Sequence, residues 1–168
     1  MQKAEKLKQL YEQIERLKAQ GKIVNTYGGV EGEFDHPDGE VLTDFMEYIY
    51  EYWQDEERPV WMEAFLQVLC WQFQSCHEGV YTYYENFYGM SEYALIVRTA
   101  EFLQQNGYLE LYKWYQHGMT ECEQYNYPAD MQANAAEVDK WINWHTKEVW
   151  DFCVDLLAKH KEEWIRRV

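Results

Sequence analysis

Residues 60–76, VWMEAFLQVLCWQFQSC, carry Trp61, Phe65, Leu66, Val68, Leu69, Trp71 and Phe73, and Glu63 is the only charge among them. Wound at about 100° per residue, these side chains leave no broad polar face. A helix that is apolar nearly all round must be enclosed by other elements, so this segment is expected to be the central buried helix. Pro59 suits its first turn, because the missing N–H would have no helical partner there. Cys70 lies within the apolar pattern, as Cys153 does further on, and both read as small core residues.

The rest of the chain shows the same period. Leu7, Leu10, Ile14 and Leu17 step along 2–20 as an amphipathic helix, with Gly21 as its stop. That helix either folds on the domain or forms a short coiled coil. Residues 22–39 contain Gly28-Gly29, Gly32 and Pro37-Asp38-Gly39 and read as a loop. Further helices are expected at about 40–56, 92–105 (N-capped by Ser91, with Tyr93, Ile96, Val97, Ala100 and Leu103 inward), 108–117 and 147–166. The aromatic run at 80–88 reads as one or two helical turns. The polar stretch 119–138, with Pro128, reads as a connection. No strand-period pattern of useful length occurs, and three Pro and nine Gly in 168 residues disfavour a turn-rich sandwich. The expected fold class is all-α, a single-domain helical bundle of about six to eight helices. It divides into an N-terminal helix (1–21), a loop (22–39) and an acidic helical body (40–168).

The formal charge is −15, and it is unevenly placed. Residues 23–139 hold three cations, Arg58, Arg98 and Lys113, against twenty-two carboxylates. Such a body is a poor partner for nucleic acid or an anionic membrane, because both need Lys/Arg to neutralise phosphate. Its electrostatic complement is a basic protein surface. The plain alternative is that the acidity serves solubility alone. The opening MQKAEKLKQL has no apolar run, no long apolar stretch follows, and no C-x-x-C pair occurs among Cys70, Cys76, Cys122 and Cys153. The expectation is a cytoplasmic protein with reduced thiols.

Within 40–57 the acids Glu40, Asp44, Glu47, Glu51 and Asp55 recur at helical steps, with no Lys or Arg between them. On one helix they occupy an arc of roughly 80°, opposite Leu42, Phe45, Met46, Ile49 and Trp53. Like charges at such spacing repel by about 0.2–0.5 kcal/mol per pair. A local cost without local compensation points to a partner, so these five residues form the candidate partner-binding site. The row would extend roughly 22 Å at 1.5 Å per residue. Duplex DNA carries one charge per about 1.7 Å, so neighbouring acids such as Glu31, Glu33, Asp35, Asp38, Glu56 and Glu57 would have to add to the field to match it.

Patterns that carry chemistry are weak. His117, Glu121, Cys122 and Glu123 offer metal-ligand atoms, but Gly118 interrupts a shared helix and no zinc spacing is matched. Cys76 and His77 are sequence neighbours, which on a helix do not face each other. No G-x-S-x-G elbow occurs. No catalytic residue, metal or cofactor is expected. His145 and His160 read as hydrogen-bonded or surface histidines. Tyr83, Tyr84, Tyr88 and Tyr93 stand out as a cluster larger than one face can bury.

Residues 74–118, QSCHEGVYTYYENFYGMSEYALIVRTAEFLQQNGYLELYKWYQHG, resemble the bacterial DMP-type DNA-mimic protein family, most of whose members have no assigned function. That family's pattern is a helix end followed by Asn-Gly-Gly-Phe, two aromatics, an Asn, and a helix closing on Gly. Here Gly79 stands in the turn, Tyr83, Tyr84 and Asn86 match the aromatics and Asn, and Leu103 to Gly107 match the closing helix. His77, Glu78 and Val80 depart from it. Residues from Val138-Asp139 to Trp164 resemble the family's last helix. The resemblance implies an all-α fold without known catalytic residues. It also implies, from one member, carboxylates standing in for phosphates to occupy a transcription regulator. Beside an uncharacterised structural or interaction domain, two functional expectations remain for a monomer or weak dimer. One is a DNA mimic occupying a basic transcription regulator, and the other is an immunity protein neutralising a basic nuclease toxin.

Overall fold

The computed structural model describes residues 37–87, 90–119 and 129–165, together with residues 5, 9, 12, 15 and 16. The described residues form seven α-helices and no strand. They are α1 (Pro37–Tyr52), α2 (Val60–His77), α3 (Val80–Phe87), α4 (Tyr93–Gln105), α5 (Leu109–His117), α6 (Ala129–Lys159) and α7 (Lys161–Ile165). A 3-10 turn, Asp55–Glu57, joins α1 to α2. The fold is all-α, as its periodicity predicts. Residues 5, 9, 12, 15 and 16 are helical and exposed. Leu7, Leu10, Ile14, Leu17 and residues 21–36 lie outside the described residues, as do Tyr88 and Cys122.

Helix α2 is central: α3, α4 and α6 all pack on it, α5 bridges α4 and α6, and α1 lies against α6. Trp61, Phe65, Leu66, Val68, Leu69 and Trp71 are buried. Phe73 and Cys70 are only partly buried at its margin, against the expectation of full enclosure. The cause is rotational, since residues 70 and 73 lie on one side of the helix. The apolar face of α1 points inward as predicted. Leu42, Phe45 and Ile49 are fully buried, and Phe45 meets Phe65 and Trp164 edge-on with ring centres 5.9 and 4.9 Å away.

Three boundaries and one inward-facing position differ from the sequence reading. Helix α1 begins at Pro37, so Pro37-Asp38-Gly39 is its first turn and not the end of a loop. Proline needs no N–H partner there, and an acid is favoured by the helix dipole. Ser91 does not cap α4: Glu92 holds that position without a side-chain cap, and the Ser91 hydroxyl donates to the Glu92 carboxylate. Val97 points outward. The second half of the expected connection 119–138 is helix, because α6 starts at Ala129 and runs to Lys159, bending at His145 (φ −128°, ψ 23°). Met131, Ala135, Val138 and Ile142 form its buried stripe at steps of four, three and four. Alanine and a Gln/Asn-rich background hide that stripe from a hydropathy reading.

Two glycines end helices in the left-handed region, Gly79 at φ 90° and Gly107 at φ 81°. At the second, the Tyr108 N–H returns to the Leu103 carbonyl (2.9 Å), a six-to-one closure. Gly118 is different. Its φ is an ordinary −80°, but a Cβ there would lie 2.6 Å from Cζ of Tyr84 and 2.7 Å from its hydroxyl oxygen. Tyr84 cannot yield, because its hydroxyl donates to the Tyr115 carbonyl (2.6 Å) and accepts from Trp71 Nε1 (2.8 Å). Gly118→Ala is therefore expected to destabilise by about 1–3 kcal/mol through overpacking. Gly107→Ala, with open space around it, should cost about 1 kcal/mol from backbone strain alone. Urea unfolding of both variants checks the order.

Candidate functional site

The acid stripe survives in part. Asp44, Glu47 and Glu51 are exposed on the outer face of α1, and no ion pair involves them among the described residues. Glu51 accepts a hydrogen bond from Tyr52. Glu40 is in the helix, but its side chain lies outside what is described. Asp55 does not belong to the row. Helix α1 ends at Tyr52, and Asp55 sits on the following 3-10 turn, paired with Arg58 at 2.6 Å. The helical register therefore ends before it, and its charge is compensated, contrary to the reading of five uncompensated acids on one helix. The turn residues Asp55, Glu56 and Glu57 are all exposed and follow a helix end that has no basic residue in its last turn. Carboxylates near a helix C-terminus oppose its dipole.

Arg58 holds this turn. Its Nη1 lies between Asp55 and Glu63 (2.6 and 3.4 Å), its Nη2 donates to the Trp53 carbonyl (3.1 Å), and its guanidinium stacks 5.0 Å from the Tyr50 ring centre. The sequence offers Arg58 only as one of three cations in an acidic stretch, beside a helix-breaking proline. Its partners become visible only once α1 stops at Tyr52 and the chain turns back. Arg58→Met should destabilise the protein by about 1–3 kcal/mol, since charge-assisted bonds to a carbonyl and a largely buried carboxylate are lost. Asp55→Ala should cost about 0–1 kcal/mol, because Asp55 is exposed and its pair is screened. Denaturant midpoints of the two variants give the comparison.

The motif residues of the family resemblance are mostly structural. Tyr83 and Tyr84 are buried, against the expectation of a tyrosine cluster too large to bury, and Tyr93 is half-buried. The Tyr83 hydroxyl donates to Gln67 Oε1 (2.7 Å) and meets the Tyr115 hydroxyl (2.5 Å). Asn86 is exposed. Gly79 packs against Asp139, whose Oδ2 would be 3.1 Å from an added Cβ. Asp139 Oδ1 accepts from Ser75 Oγ (2.6 Å) and from the Val80 N–H (2.8 Å), so a carboxylate of α6 caps α3 and latches α2.

Burial pushes the Asp139 carboxyl above its ordinary value of 3.8, with the two hydrogen bonds opposing that shift. A raised acid binds its proton more tightly in the folded chain. Its contribution therefore favours the fold at low pH and is lost as pH rises through the raised value. Asp139→Asn keeps an acceptor oxygen and removes the charge. The variant should gain stability relative to the parent on going from acid to neutral pH. Thermal melts of both across that range would refute the assignment by showing a constant difference.

Three of the described histidines, His117, His145 and His160, are engaged. His145 donates from Nδ1 to the Trp141 carbonyl (2.7 Å) and stacks on the Trp141 ring at 4.5 Å. His160 donates from Nδ1 to Glu163 (2.7 Å) and stacks on Trp61 at 4.5 Å. His117 meets Glu137 at 2.7 Å, while Glu121, Cys122 and Glu123 lie outside the described residues. Among the described residues no group of three His, Cys, Asp or Glu is placed to hold a metal ion. Cys76 and Cys153 are buried, and burial raises the thiols of Cys70 and Cys153. No helix of the described residues is long and apolar enough to cross a membrane.

No protein-family model, curated protein or solved structure matches this chain.

Proposed function

We propose that this chain is a non-catalytic acidic binding protein that occupies the basic surface of a nucleic-acid-handling protein, in the manner of a DNA mimic. The observation that carries the reading is the outer face of α1. Asp44, Glu47 and Glu51 stand exposed there without an ionic partner among the described residues, directly behind the buried Leu42, Phe45 and Ile49. Helix α1 is thus held rigidly by its inner face while the outer face presents charge. Asp44 to Glu51 spans roughly 10 Å at 1.5 Å per residue, and the acids of the 3-10 turn carry the negative field past the helix end. Three charges in that length are sparser than duplex phosphate, so Asp55, Glu56 and Glu57 belong to the proposed surface as contributors to the field.

The test is charge reversal. Asp44→Lys with Glu47→Lys should leave stability unchanged or raise it by a few tenths of a kcal/mol, because like-charge repulsion is relieved. Association with a partner recovered at low salt should slow, and its salt dependence should flatten. Duplex DNA added to the wild-type complex should displace the chain. Undiminished binding by the double variant would sink the reading. A recovered partner that is a nuclease, inhibited on binding, would replace the regulator with a toxin.

A further inference from the structure

A cleft of about 520 Å³ lies between the end of α1, the 3-10 turn, the first half of α2, and α4. Its size is that of a small-molecule site. Two of the three cations in residues 23–139, Arg58 and Arg98, line it. So do Glu63 and the apolar side chains of Val60, Leu66 and Leu95.

The charges in this cleft are incompletely matched. The Glu63 side chain is 18% exposed, and its one ion pair among the described residues is the 3.4 Å contact with Arg58, which sits closer to Asp55. Burial raises the Glu63 carboxyl, the mark of a carboxylate short of partners. Arg98 is exposed and forms no ion pair with any described residue. Glu63 and Arg98 feel each other's charge, yet no ion pair joins them. Nε of Arg58 is buried without a partner, in a side chain only 8% exposed. Gln67, whose carbonyl is taken by Tyr83, adds amide N–H donors to the lining.

An acceptor carboxylate and donor groups thus line one cavity together with apolar side chains. A dianion such as phosphate is disfavoured, because Asp55, Glu56 and Glu63 outnumber the two arginines in the lining and the chain carries −15 overall. A simple cation would leave Arg98 unmatched. We propose that the cleft binds a small zwitterion of the amino-acid class with a large apolar side chain. Its carboxylate would lie on Arg98, its ammonium on Glu63, and its side chain against Val60, Leu66 and Leu95. The cleft borders the proposed partner surface at Asp55 and Glu56 but involves none of Asp44, Glu47 and Glu51, and its argument does not rest on the DNA-mimic reading.

Titration calorimetry on the full chain with L-phenylalanine, 3-phenylpropanoate and 2-phenylethylamine tests this. Phenylalanine should bind at least about tenfold more tightly than either fragment, since each lacks one charge-assisted contact. Arg98→Ala, at an exposed position that should not disturb the fold, should weaken phenylalanine by about tenfold. Glu63→Gln should weaken phenylalanine while sparing 3-phenylpropanoate. The proposal is overturned if 3-phenylpropanoate binds as well as phenylalanine, if Arg98→Ala binds phenylalanine like the parent, or if phenylalanine gives no binding at millimolar concentration.

Discussion

Burial of most of the circumference of α2 is the constraint from which the other helices take their places. With Trp61, Met62, Phe65, Leu66 and Trp71 all buried, only the side of Glu63, Cys70 and Gln74 is left near water, and α3, α4 and α6 pack around the rest. Apolar burial, however, is non-directional and would tolerate several rotations and slides of the surrounding helices. The polar side chains of α2 supply the missing direction. Gln67 is bonded to Tyr83 of α3, Gln72 accepts from Trp150 of α6 (3.2 Å), and Ser75 donates to Asp139 of α6. Each is a buried group that would cost free energy if left unpaired, so each penalises a different wrong register.

The same logic explains why Tyr83 and Tyr84 are inside. A buried phenol needs a partner for its hydroxyl, and here the partners come from two other helices, α2 and α5. Tyr83, Tyr84 and Tyr115 share bonds with Gln67, Trp71 and a main-chain carbonyl. Gly118 is the steric counterpart of that network, since the Tyr84 ring occupies the space a side chain would need. A glycine at the end of a helix is ordinarily read as a left-handed cap. Gly79 and Gly107 are such caps, while Gly118 is there for close packing.

Charge is organised by a different rule. Of the cations in the acidic stretch, Arg58 is drawn into the joint between α1 and α2, where it neutralises Asp55 and ties down the turn. That leaves the outer face of α1 without counter-charge among the described residues, and leaves Arg98 alone at the mouth of a cleft that also holds Glu63. Two surfaces of opposite need therefore lie at the two sides of one helix–turn–helix joint. The outer one is the row of carboxylates proposed to meet a basic protein. The inner one is a small cavity with a pole of each sign.

The all-α class, the central role of 60–76 and the inward face of α1 were legible in the amino-acid sequence, because helical periodicity is a local property and apolar residues have one favourable destination. The exposure of Asp44, Glu47 and Glu51 follows from the same period. What depended on distant neighbours was not legible. Asp55 looks like a continuation of the stripe until the chain breaks at Tyr52 and Arg58 folds back onto it. The helix 129–138 is concealed because its buried stripe rests on alanine, whose inward position is decided by what packs against it. Tyr83 and Tyr84 read as excess aromatics until Gln67, Trp71 and Tyr115 arrive from other helices to satisfy their hydroxyls. The cleft of Arg58, Glu63 and Arg98 joins residues 40 positions apart in the chain. Local sequence decides which residues are helical and which face is apolar; only the packed structure decides which polar groups meet, because a hydrogen bond or an ion pair exists only between atoms that tertiary contacts bring within about 3–4 Å.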